Sequence, residues 1–398
     1  MTLPNKPLRT MKTGPRISVF NYYPLEFMGG GEYTALFLFN SLQKDFSLVY
    51  NSSRQFTGML RVTRDDIENK IKFSYTQTDF LWYSCIKIPT IIKPFPSLDN
   101  SDADLNVIYV SGGFPSKFLR DLSTSNRKVL FLMHGVTFER IRFRSISDFL
   151  VSVHQISIRI TMLSAFKYIR DNENIYFQIF NKSQEKFLKR LSVDSSRVFY
   201  IPSGVDFDKY TSGRNETQFR VIFLSRMEDL TKGLKTLGKV VRRISNLEPK
   251  IKFILIGAGK DSNMAKSMAI AFSSVEYVGF VKDSEKAQEL SNANLMISTS
   301  NVEPFPLNVL EGLASGLPIV CNDYSGSWAI KQHKIFGSVS ERSINDITAN
   351  VLLYYKKWNL DKEKYFQEKV LRRNEAKILY DSNVMISEYA KCFHKIIK

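Results

Sequence analysis

The chain has 398 residues, 43% of them hydrophobic and 24% charged. At roughly 150 residues per domain this is material for two or three domains with their own cores, which leaves no room for a single small module or a globally disordered chain. Lys and Arg number 56 against 39 Asp and Glu, a net charge of +17, so the partners to expect are anionic: nucleotides, phospholipid surfaces or nucleic acid.

Residues 1–15 are polar and basic and read as a flexible N-terminus. The first apolar run, Ile17–Phe20, is shorter than the apolar core of about 7–15 residues that a signal peptide needs, so a cytoplasmic protein is expected. Ile17–Phe20, Phe46–Tyr50, Leu105–Val110 and Lys128–Met133 have strand length, and Glu32–Gln43 has a helical pattern. Phe149–Phe166 is the most membrane-like stretch, yet it holds His154, Gln155 and Arg159, whereas a spanning helix needs about 20 mostly apolar residues. Pro202, Gly204 and Gly213 mark a break over Ile201–Gln218. Beyond it, Arg220–Leu224, Lys252–Ile256, Val275–Val278, Leu295–Ser298 and Pro318–Cys321 read as buried strands alternating with helices such as Gly233–Ile244. Runs that are apolar throughout suit parallel strands covered on both faces, so the expected fold class is α/β, with two doubly wound Rossmann-like domains facing across a cleft. Ligands of such sheets sit at the carboxyl ends of the strands, which makes the loops that follow strands the place to search. Cys85, Cys321 and Cys392 are far apart and form no CxxC pair, so neither a disulfide framework nor a zinc site is supported and a reducing compartment fits.

The most informative segment is Glu303-Pro-Phe-Pro-Leu-Asn-Val-Leu-Glu311-Gly-Leu-Ala-Ser-Gly316-Leu-Pro, directly after a predicted strand. Pro306 suits a first helical turn, because its φ is fixed and it has no amide hydrogen to satisfy. A helix starting there leaves the N–H groups of Leu307 and Asn308 free to hold an anion such as a diphosphate. Glu303 then lies before the helix and Glu311 about one turn inside it, placed to grip two parts of one extended ligand.

Two glutamates separated by seven residues and followed by Gly-Leu-Ala-Ser-Gly-Leu-Pro resemble the signature of family 4 of the retaining glycosyltransferases, the group 1 enzymes of GT-B fold. The resemblance implies that Glu303 lies near the hydroxyls of a donor sugar, with Phe305, Pro306, Leu307 and Asn308 beside it, and that Glu311 binds ribose hydroxyls. Ser225-Arg226-Met227 and Lys232-Gly233 resemble the family's Arg and Lys-Gly pair, implying that Arg226 and Lys232 contact the donor diphosphate. Physically, two cations beside a helix N-terminus can stabilise a leaving diphosphate without a metal ion. Gly29-Gly30-Gly31-Glu32 is similar to the family's glycine-rich loop, where missing side chains let backbone amides approach a ligand. His134-Gly135 matches the histidine near the anomeric centre, which makes His134, Glu303, Arg226 and Lys232 the catalytic candidates. Gly257-Ala-Gly259 falls on a loop near the donor nucleotide, and the turn at Gly279-Phe280-Val281 is placed to meet the base through its backbone. Ile201-Pro-Ser-Gly-Val-Asp206 matches the interdomain segment.

The domains expected are thus 16–204, a Rossmann-like acceptor domain; 205–375, a Rossmann-like donor domain; and 376–398, a C-terminal helix packing back on the first. The activity implied is metal-independent, retaining transfer of a hexose from a nucleoside diphosphate sugar to a hydroxyl of a glycan or lipid-linked glycan, with no cofactor beyond the donor. Domain closure would exclude water and favour transfer over hydrolysis. Asp102-Ala-Asp104 and Asp206-Phe-Asp208 resemble metal-binding triplets, but the first precedes a strand and the second lies in the interdomain segment, so no metal site is assigned. After Pro318–Cys321 the chain has Asn322-Asp-Tyr-Ser-Gly326-Ser-Trp-Ala329 where the family commonly has Gly-Gly and then an acid near Ala329. Residues 139–170 hold Arg140, Arg142, Arg144, Arg159, Lys167 and Arg170 against Glu139 and Asp148, interleaved with apolar residues; such a surface suits anionic lipid headgroups, and a peripheral membrane location with them. No nucleic-acid-binding pattern is present, and nucleic acid is not expected as a partner. The alternatives are a noncatalytic basic membrane- or nucleic-acid-binding protein on the same scaffold, a nucleotide-sugar epimerase, or a phosphorylase.

Overall fold

The computed structural model describes residues 14–27, 30–56, 60, 62–84, 92–96, 98, 101–110, 116–139, 149, 152–153, 155–156, 159–160, 163, 166–341 and 343–398. They divide into two compact units, the first drawn from Met1–Phe138, Val153–Pro202 and Met385–Lys398, the second from Glu139–Ser152 and Ser203–Val384. The break falls after Pro202, two residues earlier than expected. Residues 376–384 stay with the second unit, where the Tyr380 ring packs on Phe305 and Phe336 at centroid distances of 5.9 and 6.2 Å.

The strands of the first unit are β1 (Arg16–Asn21), β2 (Ser47–Ser53), β3 (Ser74–Thr78), β4 (Phe80–Ser84), β5 (Ile92–Pro96), β6 (Leu105–Tyr109), β7 (Val129–Leu132), β8 (Ile175–Ile179) and β9 (Val198–Tyr200). Seven make a parallel sheet in the order β3-β2-β1-β6-β7-β8-β9, and β4 pairs with β5 as an antiparallel ribbon. Successive residues of one strand enter opposite cores. Val19 joins Phe39, Leu130 and Leu132 on one face, and Phe20 joins Ile108, Phe131 and Phe177 on the other. That two-sided burial is why the strands have no polar alternation. The helix Ser382–Ile397 closes the first face with Met385, Tyr389, Phe393 and Ile396.

The second unit contains β10 (Arg220–Leu224), β11 (Lys252–Ile256), β12 (Val275–Gly279), β13 (Leu295–Ser298), β14 (Ile319–Asn322) and β15 (Gly337–Ser340), parallel in the order β12-β11-β10-β13-β14-β15. Its main core combines Val221, Phe223, Phe253 and Leu255 with Leu237, Val240, Val241 and Ile244 of the helix Leu234–Leu247 and with Ile347, Val351 and Trp358 of the helix Ile344–Leu360. The strand order starts in the middle and reverses direction at β10/β13, so the loops after these two strands diverge and leave a crevice at their carboxyl ends. Among the described residues no helix is long and apolar enough to cross a membrane. Cys321 and Cys392 are buried free thiols, and Cys85 lies outside the described residues.

Candidate functional site

The crevice of the second unit is built by the loops after β10 and β13. The expected helix Gly233–Ile244 is observed as Leu234–Leu247, and a separate turn, Asp229–Lys232, precedes it, the two joined by Gly233 at φ 68°. Gly233 is required twice: it takes the left-handed conformation, and a Cβ there would collide with the Thr299 carbonyl oxygen. This close approach lets Asn301 N donate to Thr231 O at 2.7 Å and Thr299 Oγ1 donate to Lys232 O at 3.0 Å. Lys232 is thereby aimed at the β13 loop, and its Nζ forms an ion pair with Glu303 Oε2, the two side chains being 13% and 20% exposed. At such partial burial each charge depends on the other to offset its lost hydration.

Pro306 caps the helix Leu307–Ala314 in extended conformation, with ψ 107°, and is not its first residue as expected. Its carbonyl accepts from Val309 N at 3.1 Å and Leu310 N at 3.3 Å. The amides left without an intrahelical acceptor at the head of the helix are those of Leu307 and Asn308, as the sequence suggested. The Asn308 side chain is otherwise committed: Nδ2 donates to Leu224 O at 2.5 Å and Oδ1 accepts from Val309 N at 3.0 Å, so this residue offers a ligand its backbone. Phe305, expected at the donor, has a buried side chain packed on Tyr380. The loop after β14 joins in through Gly326 N, which donates to Glu303 O at 2.8 Å, and β14 itself through its last residue, Asn322, whose Nδ2 donates to Thr299 O at 2.7 Å. The buried Glu139 carboxylate accepts from Ser325 N at 3.0 Å.

Arg226 is placed differently from Lys232. Its guanidinium is half exposed and pairs with Glu228 at 3.1 Å, a residue the sequence reading overlooked. Glu228 also receives Lys260 Nζ at 3.0 Å and Thr231 Oγ1 at 2.9 Å. Burial pushes this carboxyl up, but the hydrogen bonds from Lys260 and Thr231 and the Arg226 charge outweigh it and hold its pKa below the usual value. Gly257 has φ 130°, and a Cβ there would collide with the Ser225 carbonyl; its glycine identity thus serves the packing of the β11 loop on the β10 loop, where Met227 N donates to Ala258 O at 3.1 Å. Phe280 is 72% exposed at the end of β12 and Val281 is half-buried, just ahead of the helix Asp283–Ser291.

Glu311 lies one turn into the Leu307 helix. Its Oε1 accepts from Lys286 Nζ at 2.7 Å and from the Tyr210 hydroxyl at 2.9 Å, and neither partner was foreseen. Burial lowers the Lys286 pKa, but the Glu311 and Asp283 carboxylates raise it by more, so the amine stays charged.

In the first unit, Gly30 opens the helix Gly30–Leu42 and Gly31 follows with open space where a Cβ would stand; Gly29 lies outside the described residues. Glu32 is buried and accepts from Asn21 Nδ2 at 2.9 Å. His134 follows β7, with its ring 4.8 Å from Tyr109 and 4.7 Å from Phe180. Its Nε2 is buried and has no hydrogen-bond partner among the described residues. Burial lowers its pKa to about 3, so the imidazole is neutral at physiological pH and can exchange hydrogen bonds with a ligand but is a weak base.

The aspartate triplets have structural partners. Asp102 pairs with Arg16, Asp104 accepts from Arg16 N at 2.7 Å, Asp206 caps Asp208 N at 3.1 Å, and Asp208 pairs with Lys377 at 2.8 Å. Of the basic segment, Arg140, Arg142 and Arg144 lie outside the described residues, and Arg170 pairs with Asp171 at 2.5 Å.

Residues 205–371 match the family described as glycosyl transferases group 1. Among curated proteins, the chain is 24% identical over 242 residues to the N,N'-diacetylbacillosaminyl-diphospho-undecaprenol alpha-1,3-N-acetylgalactosaminyltransferase of Campylobacter jejuni, covering 56% of this chain and 61% of that protein. It is 20% identical over 239 residues to the phosphatidyl-myo-inositol mannosyltransferase of Mycobacterium tuberculosis, covering 56% and 63%. The chain thus spans less than two thirds of the length of either relative. Among solved structures, HepE of Anabaena in complex with UDP and glucose superposes with a TM-score of 0.66 at 14% identity, over 96% of this chain and 99% of that one. The chain therefore has the GT-B fold, and its residues 205–371 are similar to the group 1 glycosyl transferases.

Proposed function

We propose that the protein is a retaining, metal-independent glycosyltransferase of family 4, moving a hexose from a nucleoside diphosphate sugar to a hydroxyl of a glycan or lipid-linked glycan. The observation that carries this reading is the Lys232–Glu303 pair at the head of the Leu307 helix, at the strand-order reversal between β10 and β13. A diphosphate bound there meets an ammonium group and two amides whose partial positive charge is fixed by the helix. As the bond from the anomeric carbon to the diphosphate oxygen breaks, negative charge grows on that oxygen, and Lys232, Arg226 and the Leu307 and Asn308 N–H groups take it up. Glu303 faces the sugar hydroxyls and Glu311 the ribose. The acceptor hydroxyl attacks on the face the diphosphate leaves, and its proton passes to a departing phosphate oxygen. No strong protein base is then needed, which accords with a neutral His134. HepE, crystallised with UDP and glucose, supports a nucleoside diphosphate donor.

On the acceptor side, the names of the two curated relatives specify a diphospho-undecaprenol and a phosphatidyl-myo-inositol. Val153, Ile156, Ile160 and Leu163 are helical, recur at spacings of three and four, and are 48%, 37%, 46% and 60% exposed. Gln155, on another side of the same helix, is buried and donates to Thr137 Oγ1 at 2.9 Å. An exposed apolar stripe in a chain whose first 200 residues carry 27 Lys and Arg against 17 Asp and Glu suits an anionic membrane, and a lipid-linked acceptor with it.

The test is a thermal-stabilisation screen of UDP-, GDP- and ADP-sugars, followed by product analysis with and without EDTA. One donor series should raise Tm, and transfer should persist in EDTA with the anomeric configuration kept. Inversion, or loss of turnover in EDTA that Mg²⁺ restores, would overturn the mechanism.

A further inference from the structure

We infer that Lys286 is a positioning residue that sets the Glu311 carboxylate for the ribose hydroxyls of the donor. The inference rests on the reading that Glu311 meets a ribose. It starts from an asymmetry: Lys286 Nζ and the Tyr210 hydroxyl, at 2.7 and 2.9 Å, both donate to Oε1 of Glu311, and neither donates to Oε2. Two donors on one oxygen, from the Asp283 helix and from the chain just after the domain break, fix the plane of the carboxylate. Its second oxygen is left to accept from a vicinal diol. The pair is largely shielded, with side chains 18% and 14% exposed, so the hydrogen bonds are charge-assisted and little screened. Lys286 is also held by Asp283 at 3.1 Å, a largely exposed carboxylate one helical turn before it. A lysine on a helix face, 25 residues before its partner, reads in sequence as one more surface cation.

A thermodynamic cycle tests this without relying on turnover. Whichever of UDP, GDP or ADP the wild type binds tightest is titrated calorimetrically, together with its 2′,3′-dideoxy analogue, into wild type, Lys286→Met, Lys286→Arg and Glu311→Gln. The wild type should prefer the ribonucleotide by about tenfold or more, the range of a charge-assisted hydrogen bond. Lys286→Met should lose most of that preference while binding the dideoxy analogue within about twofold of wild type. Lys286→Arg should restore much of it. An equal loss for both ligands would mean that Lys286 serves the diphosphate or the fold, and an undiminished preference would mean that it does not act on Glu311; either result overturns the inference. A wild type that does not discriminate, with Glu311→Gln unchanged, sinks the ribose reading itself and this inference with it.

Discussion

Lys232 and Glu303, 71 residues apart in the chain, form an ion pair from which water is largely kept away. Each comes from a loop on one side of the strand-order reversal, so their meeting is a consequence of topology, not of sequence proximity. Lys232→Ala should therefore lower turnover by roughly 10²-fold or more, by analogy with removing one donor from an anion hole. Arg226→Ala should cost less, about tenfold, because the guanidinium is half exposed and already shared with Glu228. Steady-state kinetics on both variants check the order, and an Arg226 effect larger than that of Lys232 would contradict it.

Gly257 and Gly31 separate folding from ligand approach. Gly257→Ala forces a side chain into φ 130° and onto the Ser225 carbonyl, and should destabilise the second unit by more than about 2 kcal/mol in urea unfolding. Gly31→Ala meets open space in a helix, so stability should be unchanged or improved by up to about 1 kcal/mol. Activity should fall in Gly31→Ala with the fold intact, as steady-state kinetics beside urea unfolding will show; unchanged activity would remove the head of this helix from the ligand site.

His134 gives a pH signature. Its pKa is lowered to about 3 by burial, from an unfolded value of 6.5. The unfolded chain therefore takes up this proton first as pH falls. The stability it contributes is complete above pH 6.5 and is lost progressively between pH 6.5 and 3. His134→Gln, which cannot titrate, should show a shallower loss of stability across that window, measured by urea midpoints at successive pH values. Parallel profiles for the two proteins would mean that His134 is not buried neutral.

Asn308 makes a structural prediction inside the site. Its Nδ2 satisfies the carbonyl of Leu224 at the end of β10. Asn308→Leu leaves that buried acceptor without this donor and should cost about 1–3 kcal/mol. The backbone N–H of residue 308 is retained, so nucleoside diphosphate affinity in the folded fraction should change by less than about threefold, which calorimetry can check.

The parts of the fold legible in sequence were those where one physical cause dominated. Strands buried on both faces, such as Arg220–Leu224 and Lys252–Ile256, are uninterrupted apolar runs and were placed to the residue. Ser74–Thr78 and Gly337–Ser340 were missed, because an edge strand in a half-solvated position needs few apolar side chains. Within the expected C-terminal segment 376–398, Asp381 stands between two helices, Lys362–Tyr380 and Ser382–Ile397, a break that composition does not mark. In the candidate site, Lys232 and Glu303 stand out in sequence as charges that follow strands, whereas the side chains that pair with the other candidates do not. The neighbours of Glu228, Lys260, Lys286 and Tyr210 are decided by tertiary packing. Phe305, two residues after Glu303 in sequence, turns its ring into the core, which a motif alone does not show.

Whether the β10/β13 crevice holds a diphosphate is decided by a crystal structure of the complex with the nucleoside diphosphate that binds tightest. Phosphate oxygens should lie about 3 Å from Lys232 Nζ and from the N–H groups of Leu307 and Asn308. A diphosphate bound elsewhere, with Lys232 still closed on Glu303 and the head of the helix untouched, would contradict it.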